Sequence, residues 1–266
     1  NSCGHSATAT LTVTDATYTG SAITTGASVT YSDGWAGSQE HGEITYSNNL
    51  NAGTATAKVT VEGKELTTTF EINEADISDA VVSLNPTSGT YTGTAYNPSV
   101  SVTLDGFGTL VEGTDYTLSW DKSGFTNADT YTVTVTGKGN FEGTKTQLFK
   151  INAANLTDVK VEQVGTLTYT GEALTPTVSA SATSVDGSEI TFTYSTEREG
   201  SYSAEIPSFT NVSMVHAVYY KATADNHNTY YGVFLVEIAK ATVTEPTIAS
   251  KVYNGTVQTA DIADTD

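Results

Sequence analysis

Catalysis by side chains needs a nucleophile beside a base, two carboxylates facing one bond, or a cluster of metal ligands. The four histidines, His5, His41, His216 and His227, are scattered along the 266 residues. No HExxH, nucleophile elbow or phosphate-binding loop accompanies them. His216 falls in a strand pattern and His227 in the turn Asp225-Asn226-His227-Asn228, so both read as structural histidines, and the chain is expected not to be an enzyme. Two binding chemistries remain. Glu71, Glu74, Asp76 and Asp79 supply hard oxygen ligands within one short connector, the donor type calcium takes; a solvated acidic linker is the competing reading. No other cofactor is expected. Sugar binding needs exposed aromatic faces with polar rims. Trp35 stands beside Asp33, Gln39 and Glu40 in a glycine-rich segment, and Trp120 is the second candidate. Packing competes at both tryptophans, and most directly at Trp120, which aligns with Tyr46 and Tyr194 in a strand.

Charge narrows the partners. Thirty acidic against 11 basic residues give a formal net charge of -19, which repels nucleic-acid phosphates and anionic lipid headgroups. No apolar run reaches the ~18 residues of a spanning helix, so membrane insertion of this stretch is not expected. Cys3 is the single cysteine, so stability must come from packed cores or from a crosslink other than an intrachain disulfide.

The elements that must position these residues follow from a repeat. Tyr18-Thr19-Gly20, Tyr91-Thr92-Gly93, Tyr169-Thr170-Gly171 and the variant Tyr253-Asn254-Gly255 recur at intervals of 73, 78 and 84 residues, each the size of one small domain. Asn-led turns at Asn51, Asn127 and Asn211 precede long alternating stretches. Ala55, Ala57, Val59 and Val61 share one face in the first copy, and Tyr131, Val133 and Val135 in the second. In the third, Val218, Tyr220 and Ala222 fit only after a shift of one residue, which predicts a β-bulge. Each copy closes on a strand ending in isoleucine: Ile72, Ile151 and Ile238. Pro98 and Pro176 each follow their tyrosine by seven residues, a spacing that suits the start or edge of a strand. Helix-type periodicity is absent.

The second copy carries the fullest motif: Tyr91-Thr92-Gly93-Thr94-Ala95 with Pro98, Gly113-Thr114-Asp115-Tyr116-Thr117, Asn127-Ala128-Asp129-Thr130-Tyr131 and Gly137-Lys138-Gly139-Asn140-Phe141-Glu142-Gly143-Thr144. It resembles the bacterial immunoglobulin-like, MBG-type tandem repeats of Gram-positive surface proteins and adhesins. The resemblance implies an all-β chain of tandem immunoglobulin-like β-sandwich repeats in a semi-rigid linear array. The landmarks divide it into a lead-in (1–7), repeats at 8–76, 77–154 and 155–241, and the opening of a fourth repeat at 242–266, beyond which the natural polypeptide is expected to continue. The function implied is a non-catalytic spacer, stalk or adhesin segment of a cell-surface or secreted protein. Other domains of the same polypeptide and a host or polysaccharide ligand are the expected partners. Two alternatives stand beside it: a glycan-binding accessory module using the loop aromatics of repeat 1, and a polymer subunit assembling by strand addition through the C-terminal segment.

Overall fold

Side chains that alternate with a period of two bury one face only when the chain is extended. The computed structural model describes residues 8–32 and 41–260, and those residues form strands and no helix. The chain divides into two compact units, Asn1–Ala153 and Ala154–Asp266.

Unit 1 opens with β1 (Ala9–Val13), β2 (Ala16–Thr17), β3 (Ala27–Tyr31), β4 (Thr45–Ser47), β5 (Gly53–Val61) and β6 (Lys64–Asn73). β1 pairs with β3, while a second sheet runs in the order β2-β6-β5-β4. In that sheet β2 is parallel to β6 and the other pairs are antiparallel. After a short strand β7 (Ala75–Asp76) the pattern returns with β8 (Val81–Asn85), β9 (Ser88–Thr90), β10 (Ser99–Leu104), β11 (Gly108–Thr109), β12 (Tyr116–Trp120), β13 (Thr130–Gly137), β14 (Phe141–Glu142) and β15 (Thr144–Asn152). Its sheets are β8-β10-β11 and β9-β15-β13-β12. An opening segment split between two sheets, beside a central antiparallel trio, is an immunoglobulin-like sandwich with one sheet reduced.

The alternation is what fills each sandwich. Ala55, Ala57, Val59 and Val61 of β5 are buried with Phe70 and Ile72 of β6, and Leu11 and Ile23 join the same core. Tyr131, Val133 and Val135 are buried likewise, as are Phe149 and Ile151 of β15. The Tyr131 hydroxyl donates to the Asn127 carbonyl at 3.0 Å, tying the start of β13 to its preceding turn as a tyrosine corner does.

The connection between the two sandwiches of unit 1 is itself ordered structure. β7 pairs in parallel with β14, Ala75 opposite Phe141 and Asp76 opposite Glu142. The Ala75 amide donates to the Asn140 carbonyl at 2.9 Å and the Ile77 amide to the Glu142 carbonyl at 3.0 Å. The Asn140 side chain reaches the Asn-led turn of the first sandwich: its Oδ1 accepts from the Ala52 amide at 2.9 Å and its Nδ2 donates to Asn51 Oδ1 at 3.2 Å. Above this clasp Tyr18 stacks on Phe107 with ring centroids 5.6 Å apart, and Phe141 meets both edge-on at 5.5 and 5.1 Å. Phe107 is delivered by the β10–β11 hairpin, where Gly106 and Gly108 take φ of 81° and 78°, conformations that cost glycine little.

Unit 2 contains β16 (Ala154–Asn155), β17 (Thr157–Val164), β18 (Leu167–Thr168), β19 (Thr177–Thr183), β20 (Thr191–Ser195), β21 (Ser213–Thr223), β22 (His227–Asn228) and β23 (Tyr230–Ala239). β17 pairs with β19, and the larger sheet runs β18-β23-β21-β20. β16 lies parallel to β22, Ala154 opposite His227, the same pairing that β7 makes with β14. Tyr194, Val218, Tyr220, Phe234 and Val236 form the core. The expected bulge is present: Ser213 pairs with Ile238 but His216 with Val236, so one extra residue sits on β21. Residues 242–260 form no strand longer than a single bridge, and Val252 and Val257 in them are 89% and 98% exposed.

The register of the tyrosine signature holds across both units. The amides of Tyr18, Tyr91 and Tyr169 donate to the carbonyls of Asn73, Asn152 and Ala239 at 2.8, 2.8 and 2.9 Å. Their rings differ: Tyr91 is buried, Tyr18 half-buried, and Tyr169 40% exposed. Pro98 and Pro176 are both buried immediately before β10 and β19, where no ladder hydrogen bond is asked of them.

Candidate functional site

Trp35, Asp33, Gln39 and Glu40 lie outside the described residues. Trp120 ends β12 opposite Val133, half-buried, with its ring edge-on to Phe125 at 4.8 Å. Phe125 in turn meets Tyr131 and Phe149, so Trp120 packs on the margin of an aromatic core. Its alignment needs one correction. Tyr46 pairs with Ala57 as Trp120 pairs with Val133, each partner facing the residue four before the closing isoleucine. Tyr194 instead pairs with Tyr220, opposite Gly232, two residues farther along. Its counterpart is Leu118, because alternation fixes which face a residue takes and leaves its position along the strand free.

The four acidic residues of the first connector are not gathered. Glu71 Oε1 accepts from Thr54 Oγ1 at 2.7 Å, and the Asp76 carboxylate accepts from the amide and hydroxyl of Ser78 at 2.8 and 2.9 Å. Among the described residues no group of three or more His, Cys, Asp or Glu side chains is placed to hold a metal ion. The two strand-borne histidines are engaged structurally. His216 stacks on Phe209 at 4.4 Å and its Nε2 lies 2.7 Å from the Asn211 carbonyl. His227 accepts at Nε2 from the Val185 amide at 3.1 Å.

A cleft of about 750 Å³ lies in unit 2, on the outer face of β21 and β23. Tyr219 and Lys221 come from β21, and Tyr231, Gly232 and Val233 from β23, while Arg198, Glu199, Gly200 and Tyr202 come from the segment after β20. That segment spans 196–212, whereas the matching connections in unit 1 span only 48–52 and 121–129. It turns back on itself, Ser203 exchanging both backbone hydrogen bonds with Tyr194 at 2.7 and 3.0 Å. Gly200 makes the turn possible, since a Cβ there would lie 2.9 Å from Ser195 Oγ and from Glu197 Cβ, tighter than a real side chain accepts. The Tyr202 hydroxyl donates to the Arg198 carbonyl at 2.8 Å.

Within the cleft the Lys221 ammonium lies 4.1 Å from the Tyr202 ring centroid and 5.3 Å from that of Tyr231, a cation held by two aromatic faces. Burial, then the charge of Glu199, pushes the Tyr202 phenol above its ordinary range, with Arg198 working the other way. Neither Lys221 nor Arg198 has a carboxylate within ion-pair distance among the described residues, unlike Lys58, Lys122 and Lys160.

Sequence reasoning did not find this cleft, although two signals for it were present. Counting back from the closing isoleucine along the paired strands, Tyr219 occupies the place of Lys58 and Thr134, and Tyr231 that of Glu65 and Thr144. The outward face thus changes from threonine and charge to aromatic. The longer 84-residue interval also marks the inserted segment.

No family model and no curated protein sequence matches the chain. Solved structures with some likeness include extracellular domains 3–5 of Drosophila OTK (11% identity, 72% of each chain covered, TM-score 0.27). Drosophila N-cadherin EC1-3 matches at 10% identity with 91% of each chain covered and a TM-score of 0.25. The N-terminal eight Ig domains of Down Syndrome Cell Adhesion Molecule match at 11% identity and a TM-score of 0.31, over 88% of this chain and 36% of that one. At these scores the likeness carries no functional argument, and the fold assignment rests on the strand order.

Proposed function

We propose that the chain is a non-catalytic spacer or adhesin segment of an extracellular protein, built from sandwich repeats at 8–76, 77–154 and 155–241. The observation that supports this reading is the junction inside unit 1. A connector that merely tethered two domains would carry no defined hydrogen bonds, whereas here it is a strand, β7, clasped by Asn140 and capped by the Tyr18, Phe107 and Phe141 rings. Such a joint transmits orientation from one sandwich to the next, which is what a spacer must do. A bacterial cell-surface or secreted origin is proposed from the second-copy motif beginning at Tyr91.

Residual dipolar couplings on the full chain test the joint. Amides of 8–72 and 81–152 are expected to fit one alignment tensor. Two tensors of different magnitude would mean independently moving domains and would remove the basis of the spacer reading.

A further inference from the structure

We propose that the cleft over β21 and β23 is a binding site for an acidic saccharide, a chain of sugar rings bearing carboxylates. This rests on the cleft alone and stands or falls separately from the spacer reading.

The fold does not require these residues. The places of Tyr219, Lys221, Tyr231 and Val233 point away from the core, and in unit 1 the same places hold Lys58, Thr60, Glu65 and Thr67, then Thr134, Thr136, Thr144 and Thr146. Solvent-facing threonine and charge suffice to make this sheet. In unit 2 the face instead leaves Tyr231 63% and Val233 52% exposed. Contiguous apolar surface of this kind on a soluble domain usually marks a contact site.

The chemistry of the occupant follows from three features. First, Tyr219 and Tyr231 are diagonal neighbours on adjacent strands, about 7–8 Å apart along the backbone, and Tyr231 offers an open ring to the C–H face of a sugar. Second, Arg198 and Lys221 put two cations beside these rings in a chain of net charge -19. Neither is neutralised by an ion pair among the described residues. The tyrosines hold the Lys221 ammonium in place, so less rotamer freedom is lost when an anion binds it. Arg198 supplies the planar fork that matches a carboxylate. Third, Glu199 shares the cleft. A single carboxylate among two cations accepts hydrogen bonds from hydroxyls and disfavours a uniformly anionic ligand. Hydroxyls alternating with carboxylates on sugar rings that carry an apolar C–H face meet all three features. An acidic peptide would meet the cations and leave the ring faces unused.

The test is isothermal titration of the full chain at low salt with three probes: tetragalacturonate, neutral maltotetraose and tetraglutamate. Tetragalacturonate is expected to bind with a dissociation constant of about 1 mM or tighter, and the other two about tenfold more weakly or worse. Tyr231→Ala and Arg198→Gln should each weaken tetragalacturonate by about tenfold, Tyr231→Phe should retain most of it, and Leu148→Ala on the matching face of unit 1 should change nothing. Unchanged melting profiles separate loss of contact from loss of fold. Absence of tetragalacturonate binding overturns the proposal. So does equal binding of tetraglutamate, which would make the cleft a peptide site, or binding indifferent to both Tyr231→Ala and Arg198→Gln.

Discussion

Phe107 gives the cleanest access to the energy of the junction. Its half-buried ring projects from the β10–β11 hairpin onto Tyr18 at 5.6 Å and Phe141 at 5.1 Å. Phe107→Ala therefore removes two aromatic contacts, each contributing about 0.5–1.5 kcal/mol beyond area burial, for an expected loss of at least about 1–3 kcal/mol once the lost burial of the ring is added. Tyr18→Ala removes one of the same contacts from the other side. In a double-mutant cycle the pair should show a coupling of about 0.5–1.5 kcal/mol. The assay is urea unfolding of the full chain with Trp35 replaced by Phe, so that Trp120 alone reports the second sandwich. A coupling below about 0.3 kcal/mol, the scatter expected of independent sites, would refute the idea that the rings join the two sandwiches energetically.

Asn140→Ala leaves the Ala52 amide without its acceptor, so hydrogen exchange at Ala52 should accelerate about five- to tenfold, an opening made easier by about 1 kcal/mol. Ala75, bonded to the backbone carbonyl of Asn140, should keep its protection. Gly232→Ala should destabilise unit 2 by about 1–3 kcal/mol or more in thermal unfolding, because the added Cβ collides with the buried Tyr220 ring and nothing in that core can retreat cheaply. Asp129 is held below the ordinary aspartate value of 3.8 first by the hydrogen bond from Lys122 and then by the Thr130 amide. Its stabilising contribution is therefore complete above 3.8 and lost as pH falls through the lower folded value. An NMR titration should find that depressed value, and Lys122→Gln should raise it.

Much of the sandwich was legible because a pleated strand reports its buried face in its own residues. Ala55 through Val61, and Tyr131 through Val135, are inward for no reason beyond alternation, and Ile72, Ile151 and Ile238 close their cores as expected. What failed was position along a strand. Trp120 and Tyr194 are both inward aromatics, yet they sit at different heights, and only the pairing with Val133 and Tyr220 separates them. The clasp was illegible for a related reason. Asn140 meets Ala52 across 88 residues, and a single asparagine in a turn carries no local sign of so distant a partner. Attention to Trp35 and Trp120 followed residue type, whereas the cleft is built from ordinary tyrosines made unusual by the face they occupy.

The two connectors show which part of the junction the fold depends on. In unit 1 Phe141 stands opposite Ala75, and Phe107 closes over it. In unit 2 the place of Phe141 is taken by His227, opposite Ala154, and the contact from the neighbouring loop is the Val185 amide donating to Nε2. With Nε2 accepting, Nδ1 carries the ring proton and donates it to the Asp225 carbonyl at 2.8 Å. An apolar ring stack has thus been exchanged for a hydrogen-bonded imidazole while the parallel backbone pairing is unchanged. The same backbone bond recurs as well, the Ala75 amide donating to the Asn140 carbonyl and the Ala154 amide to the Asn226 carbonyl. Backbone groups in a connector must be satisfied whatever side chains surround them, so the pairing persists and the side chains above it are free to differ. The outer face of the main sheet enjoys still more freedom, since it answers neither to a core nor to a connector. Of these surfaces it is the one on which a binding site can arise without cost to the fold, and Tyr219, Lys221 and Tyr231 lie there.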